Sequence, residues 1–225
     1  MNAHELRLVL LGAPGAGKGT QARKLVQAFD LAQIGTGDTF RAAAAAGTAM
    51  GIAAKAYMDN GELVPDDVTM GVVEERLREE DARRGFVMDG FPRTSQQATA
   101  FDALLAKLGQ RLDAVVELRV PRDELLQRLT GRWLCSRCQA SYNVLVAKPA
   151  QAGICDRCGG GLLHRQDDSR EMAEHRLDVY DRQTAPLIAY YQGAGLLKTV
   201  EGRQEIDAVY EAILAAAGIP TEAAT

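Results

Sequence analysis

The stretch Leu6-Arg7-Leu8-Val9-Leu10-Leu11-Gly12-Ala13-Pro14-Gly15-Ala16-Gly17-Lys18-Gly19-Thr20 decides the fold. Its first half is a short, mostly apolar run that stops at Gly12, the pattern of a buried strand. The glycine-rich turn that follows opens a helix. A strand, such a turn and a helix N-terminus make an anion site, because the glycines let backbone N–H groups turn inward around phosphate oxygens. Lys18 reaches the outer phosphates and offsets their charge. The generic motif carries Ser or Thr directly after the lysine; here Gly19 intervenes and the hydroxyl comes at Thr20. The lysine and the flanking context favour a nucleotide-binding loop over a ligand-free glycine turn.

Working outward, Gly85-Phe86-Val87-Met88-Asp89, Ala114-Val115-Val116-Glu117-Leu118 and Leu197-Lys198-Thr199-Val200 read as further strands, with Gln33-Ile34 a weaker one. Helical spacing joins Phe101, Leu104, Leu105 and Leu108, and also Leu125, Leu126 and Leu129. Pro65 suits the first turn of a helix that buries Val68, Val72 and Leu77. Strands alternating with helices predict an α/β fold with a five-stranded parallel sheet of the P-loop NTPase type, covered on both faces. Two segments interrupt the alternation. Residues 35–64 are helical and alanine-rich, and the run Ala42–Ala46 reads as plain helix stopped by Gly47. Residues 132–167 hold all four cysteines and read as a small subdomain. The expected division is therefore a core of 1–34, 65–131 and 168–225, a subdomain of 35–64 and another of 132–167. Ala217–Thr225 is expected to be a loose tail.

Composition agrees with a globular enzyme. Of 225 residues, 47% are hydrophobic, enough for a core, and the net charge of −4 argues against a broad nucleic-acid surface. No apolar run is long enough to span a bilayer, and no basic region followed by an apolar stretch opens the chain. Membrane and export are thus not expected. The cysteines fall in two C-x-x-C pairs, Cys135/Cys138 and Cys155/Cys158, which without export reads as metal binding rather than disulfides. Four thiolates fill the coordination sphere of zinc and leave no open position, so the predicted zinc is structural. The location expected is cytoplasmic.

A second phosphate-handling element is Asp89-Gly90-Phe91-Pro92-Arg93. Asp89 ends a strand, where open α/β sheets bind ligands, and a carboxylate there suits the holding of magnesium. The Arg93 guanidinium matches a phosphate.

Six motifs in order then carry a family resemblance over nearly the whole chain. They are Gly12 to Thr20; Thr36-Gly37-Asp38 with Arg41; Gly61-Glu62-Leu63-Val64-Pro65-Asp66; Asp89 to Thr94 with Gln97; Gly131-Arg132; and Asp167-Asp168 with Arg176-Leu177. The chain resembles the adenylate kinases, in the long form with a metal-binding lid. The resemblance implies that Gly15, Ala16, Gly17, Lys18, Gly19 and Thr20 hold the phosphates of magnesium-bound ATP. It implies an AMP site of Thr36, Arg41, Glu62, Leu63, Val64, Gly90, Phe91, Pro92, Arg93, Gln97, Arg165 and Arg176, in which the Gln97 amide reads adenine. Arg132, Arg165 and Arg176 would close on the transferring group from the lid side. Ser141 and Tyr142 would touch the ATP base or ribose, and the backbone at Gln204 would meet adenine.

The chemistry agrees. Phosphoryl transfer needs alignment and positive charge rather than a general base. The expected catalytic set is therefore Lys18, Asp89, Arg93, Arg132, Arg165 and Arg176, and Asp38 is read as a helix N-cap. Asp167-Asp168 is expected to anchor the lid hinge or start a helix. His4, His164 and His175 read as surface residues. Gly35, Trp133 and Glu174 depart from the family pattern. The substrates implied are ATP, AMP and ADP, handled by a monomer with no nucleic acid. Two alternatives remain open: a kinase for another nucleoside monophosphate, and a P-loop ATPase whose zinc ribbon binds nucleic acid.

Overall fold

The computed structural model of the chain describes residues 6–138, 140–144 and 147–220, so His4 and residues 221–225 lie outside the described part. Among the described residues, eight strands form two sheets. β1 (Arg7–Leu11), β2 (Ala32–Gly35), β3 (Phe86–Asp89), β4 (Ala114–Arg119) and β8 (Leu197–Glu201) make a five-stranded parallel sheet in the order β2-β3-β1-β4-β8. β5 (Arg132–Cys135), β6 (Ser141–Asn143) and β7 (Leu162–His164) make a small antiparallel sheet in the order β6-β5-β7.

The central strands β1, β3 and β4 are near-continuously apolar because helices cover both faces. On one face Leu8, Leu10, Val116 and Leu118 pack with residues of α1 (Lys18–Phe29), α7 (Arg122–Thr130), α8 (Arg170–Val179) and α10 (Ile206–Ala217). On the other, Val9, Leu11, Met88 and Val115 pack with α4 (Asp66–Leu77), α6 (Ser95–Lys107) and α9 (Pro186–Gly193). Two more helices, α2 (Thr36–Ala45) and α3 (Ala49–Asp59), lie between β2 and α4, with a small apolar centre of Phe40, Ala54 and Val64. α5 (Glu80–Arg84) leads into β3. After β1 the chain crosses to β2 and β3 on one side, then to β4 on the other. This switch in direction opens a crevice at the carboxyl ends of the strands, where such sheets bind ligands.

Several local expectations are corrected. Pro65 is the residue before α4 rather than inside it, and the fully buried line is Thr69, Val73 and Leu77. These lie at i, i+4 and i+8 on one face; Val68 and Val72, on the adjacent line, pack partly buried against Phe40, Ala54 and Val64. Asp38 does not cap α2. Helical geometry begins two residues earlier, Gly35 occupies the cap, and Asp38 instead pairs with Arg41 one turn on. The C-terminal stretch is not loose from Ala217: α10 ends there, and Ile219 is buried in the core after Gly218 turns the chain. The alanine run forms α2 as expected, and ends before Gly47.

Candidate functional site

Register brings three elements to one edge. Gly35 pairs with Asp89 across β2–β3, Leu10 with Asp89 across β1–β3, and Leu11 with Glu117 across β1–β4. The carboxyl ends of β1, β2 and β3 therefore present the phosphate-binding loop, Thr36 and Asp89 side by side. Gly17 is the residue before α1, so the N-terminus of that helix faces the crevice. Gly19 explains the departure from the generic motif. A Cβ there would lie 3.0 Å from the Asp89 carboxylate, so a Ser or Thr at this position would push the acid away.

Lys18 is half-buried, and its ammonium, turned inward, donates to the carbonyls of Gly12 (2.7 Å) and Ala13 (3.0 Å). Burial lowers its pKa to about 8; Asp89 opposes this, while Arg93, Arg176 and Arg132 add to it. Asp89 is pushed upward, again first by burial, with Lys18 pulling the other way. Among the described residues nothing donates a hydrogen bond to the Asp89 carboxylate, which leaves it free to serve a cation.

Arg93 is likewise half-buried, and desolvation of its guanidinium lowers its pKa. Its Nε donates to the Gly90 carbonyl at 2.6 Å, which aims the guanidinium along the loop. Gln97, almost wholly buried, accepts from the Arg93 backbone N–H (2.7 Å) and donates to Asp66 (2.6 Å). Thr94 caps α6 and donates to the same carboxylate at 3.0 Å. Asp66 thus fixes the Gln97 amide, a role not drawn from the sequence although the residue stood inside a quoted motif.

The three arginines from the far side gather on two adjacent acids. Asp168, with no exposed side chain, accepts from Arg132 (2.8 and 2.5 Å) and from Arg176 (3.0 Å). Asp167 accepts from Arg165 through Nε at 2.7 Å and through a second, shorter contact. Arg176 also donates to the Asp167 carbonyl. Burial lowers the Arg176 pKa to about 10, opposed by Asp167. For Arg165 burial acts in the same direction, but the hydrogen bond and charge of Asp167 outweigh it and raise its pKa. Asp167 and Asp168 thus tie the three arginines together just ahead of α8.

Two clefts lie over the sheet edge, of about 390 and 430 Å³, each within the range of small-molecule sites. The first is lined by Gly15, Ala16, Gly17, Lys18, Gly19, Thr20, Asp89, Pro92, Arg132, Ser141, Tyr142 and Gln204. The second is lined by Thr36, Glu62, Val64 and Gln97. Arg41, Leu63, Gly90, Arg93, Arg165 and Arg176 line both, so the clefts meet at four arginines.

Not every expected residue faces ligand. The Phe91 ring is buried in the core, edge-on to Phe101 at 5.2 Å, and lines neither cleft. The Tyr142 ring belongs to the small sheet's own core, and its hydroxyl accepts from the Asp156 N–H (2.8 Å) and lies 3.4 Å from the Cys155 sulfur. The Glu62 side chain is bonded to His175 at 2.9 Å, so His175 is not an unengaged surface residue. His164 is exposed as expected, with one ring nitrogen 2.9 Å from the Thr130 carbonyl. Three further cations in the first cleft, Arg23, Arg128 and Arg203, were not drawn from the sequence. Arg23 follows Gly19 by one helical turn and Arg128 precedes Arg132 by four residues, and that spacing was the available signal.

The four cysteine sulfurs lie within 4.8 Å of one another. Cys135 and Cys158 are 3.4 Å apart and Cys138 and Cys155 3.6 Å, far beyond a disulfide bond. A tetrahedral ion with metal–sulfur bonds of about 2.3 Å needs sulfurs about 3.8 Å apart. The set fits such an ion.

Two nucleotide-sized clefts with a shared wall of cations suit passage of a phosphoryl group from one nucleotide to another, which defines the class as a P-loop phosphotransferase. Residues 10–196 match the family model described as adenylate kinase. The chain is 54% identical to an adenylate kinase of Moorella thermoacetica over 95% of its own length and 98% of the relative's. It is 53% identical to one of Geobacter sp. (strain M21), over 94% and 99%, and 51% identical to one of Carboxydothermus hydrogenoformans, over 92% and 97%. The chain belongs to the adenylate kinase family.

Proposed function

We propose that the two clefts take ATP and AMP and exchange the terminal phosphoryl group reversibly, giving two ADP. The observation that carries this is the meeting of the clefts at Arg41, Arg93, Arg165 and Arg176, where a group in transit is surrounded by positive charge. Gly15 to Thr20 would cradle the ATP phosphates, with the Lys18 ammonium, Arg132 and the loop N–H groups meeting the charge. Ser141, the Tyr142 backbone and Gln204 would border the base and ribose. In the second cleft Thr36, the Glu62 backbone, Leu63, Val64, Gly90 and Gln97 would enclose AMP, and Arg41 and Arg93 would take its phosphate. Pro92 and Phe91 would shape the loop, Phe91 from the core side. Gln97 keeps one amide hydrogen and one oxygen lone pair for a base edge, since Asp66 and the Arg93 N–H take only the others.

Magnesium with ATP would neutralise charge on the outer phosphates, and Asp89 with Thr20 would hold it. The protein's own contribution is alignment and preorganised charge, without a general base. The salt-bridged arginines on Asp167 and Asp168 are held in place before substrate arrives.

Residues 132–167 would act as a lid and 35–64 as the AMP-binding part, both moving on the core of 1–34, 65–131 and 168–225. Zinc on Cys135, Cys138, Cys155 and Cys158 would staple the lid, whose own core of Cys135, Ala140, Tyr142, Cys155 and Leu162 is too small to hold it folded alone. The thiol pairs fit a reducing compartment, so we place the enzyme in the cytoplasm, working as a monomer on free nucleotides. Steady-state kinetics with ATP and each nucleoside monophosphate test the reading: AMP should be by far the best acceptor. Faster turnover of CMP or UMP would defeat it.

A further inference from the structure

The turn between α3 and α4 sits against α8, and two independent features join them. Gly61 has φ +73°, and a Cβ there would lie 2.9 Å from the Met172 sulfur and 3.1 Å from both Arg176 Cγ and His175 Cδ2. Met172, His175 and Arg176 stand at i, i+3 and i+4, one face of α8. The next residue, Glu62, meets His175 Nε2 at 2.9 Å. The pair spans 113 residues of sequence and joins the AMP-side segment to a helix of the core.

Each partner adjoins a residue of the shared cleft wall. Leu63 follows Glu62, and Arg176 follows His175, and both line both clefts. Fixing Glu62 to His175 therefore fixes the spacing between the monophosphate pocket and one arginine at the transfer point. His175 lines neither cleft, and Glu62 borders only the second, with its carboxylate turned to His175. About two-fifths of each remains exposed, so breaking the pair leaves no buried charge.

We infer that Glu62 and His175 form a clasp that sets affinity for the nucleoside monophosphate by holding turn 61–64 against α8, as positioning residues. The inference rests on the reading of the second cleft as the AMP site. The clasp acts mainly on one substrate. Losing it lets the turn move off α8, which weakens AMP binding first, because Leu63 and Arg176 are a large part of that cleft's wall and a small part of the ATP cleft's, and the phosphate-binding loop keeps its place. Closure of such segments often limits turnover through product release, so kcat should hold or rise as KM rises.

A double-mutant cycle tests this. Glu62→Met keeps length without an acceptor, and His175→Phe keeps a ring against Gly61 without a donor. Exposed pairs contribute enough to shift an equilibrium about two- to five-fold, so each single variant should raise KM for AMP by about that factor. The double variant should be no worse than either single one. KM for ATP should rise by less than KM for AMP, and calorimetric AMP affinity should follow KM. Additive effects in the double variant, an unchanged KM for AMP, or equal rises for ATP and AMP would each overturn the clasp. Arg93→Ala serves as the separating control. If it weakens AMP binding while the cycle reveals no coupling, the clasp alone fails; if it leaves AMP affinity unchanged, the AMP site is misplaced and the clasp falls with it.

Discussion

Lys18→Met should abolish turnover and still not destabilise the protein. The buried ammonium is held about 2.5 pH units below its ordinary value of 10.5, since its pKa is lowered to about 8. At about 1.36 kcal/mol per unit, keeping it charged at pH 7 costs the fold about 3 kcal/mol. The sign is direct: the folded state binds its proton less tightly than the unfolded state, so an uncharged side chain removes this cost. Against that stand two hydrogen bonds, to Gly12 and Ala13. At about 0.5–1.5 kcal/mol each, their loss takes back about 1–3 kcal/mol. The net is a stability change of about 0–2 kcal/mol in favour of the variant. In a chain of this size that is a rise in Tm of about 0–8 °C, at about 2–4 °C per kcal/mol. Activity should move the other way, because a preorganised donor at developing charge is worth about 10²–10³ in kcat. Urea unfolding and a coupled kinetic assay on the same preparation give both numbers. A variant destabilised by more than about 1 kcal/mol, or one that keeps near-normal kcat, would refute the reasoning.

The same ammonium predicts a pH profile. kcat/KM for ATP should fall as pH rises through about 8, where free Lys18 loses its proton, while kcat at saturating ATP persists to higher pH because bound phosphate holds the charge. Removing one thiol by Cys155→Ser should lower zinc content and Tm together, with turnover well below the melting transition reduced far less than in Lys18→Met. A folded zinc-free variant as inactive as Lys18→Met would make the metal more than a staple. Trp133, the sole tryptophan, sits in β5 beside Arg132 with its ring edge-on to His164 at 5.5 Å. A bisubstrate analogue joining two adenosines through phosphates should change its emission and its quenching by iodide, and an unaltered spectrum would mean that this strand does not move.

The sequence by itself determined the sheet and the places of its chemistry. The three central strands could be read because buried parallel strands must be apolar throughout, as Leu8 to Leu11, Phe86 to Met88 and Val115-Val116 are, whereas the edge strands β2 and β8 mix polar and apolar residues. The phosphate-binding loop was legible because anion binding demands local glycines and a lysine in a contiguous order. The cysteine cluster was legible because ligand spacing is local too. What the tertiary structure alone decided was direction and partnership. Phe91 and Arg93 stand two residues apart in one motif, yet one ring faces the core and the other side chain the cleft. Tyr142 turned to Cys155, Asp66 to Gln97, and Glu62 to His175, contacts made across turns, strands and up to 113 residues of chain. Ile219 found a core position beyond the end of α10, where Gly218 turns the chain back and the helical period no longer says which way a side chain points. A side chain's partner is set by the packing of elements distant along the chain, and no local pattern encodes that distance.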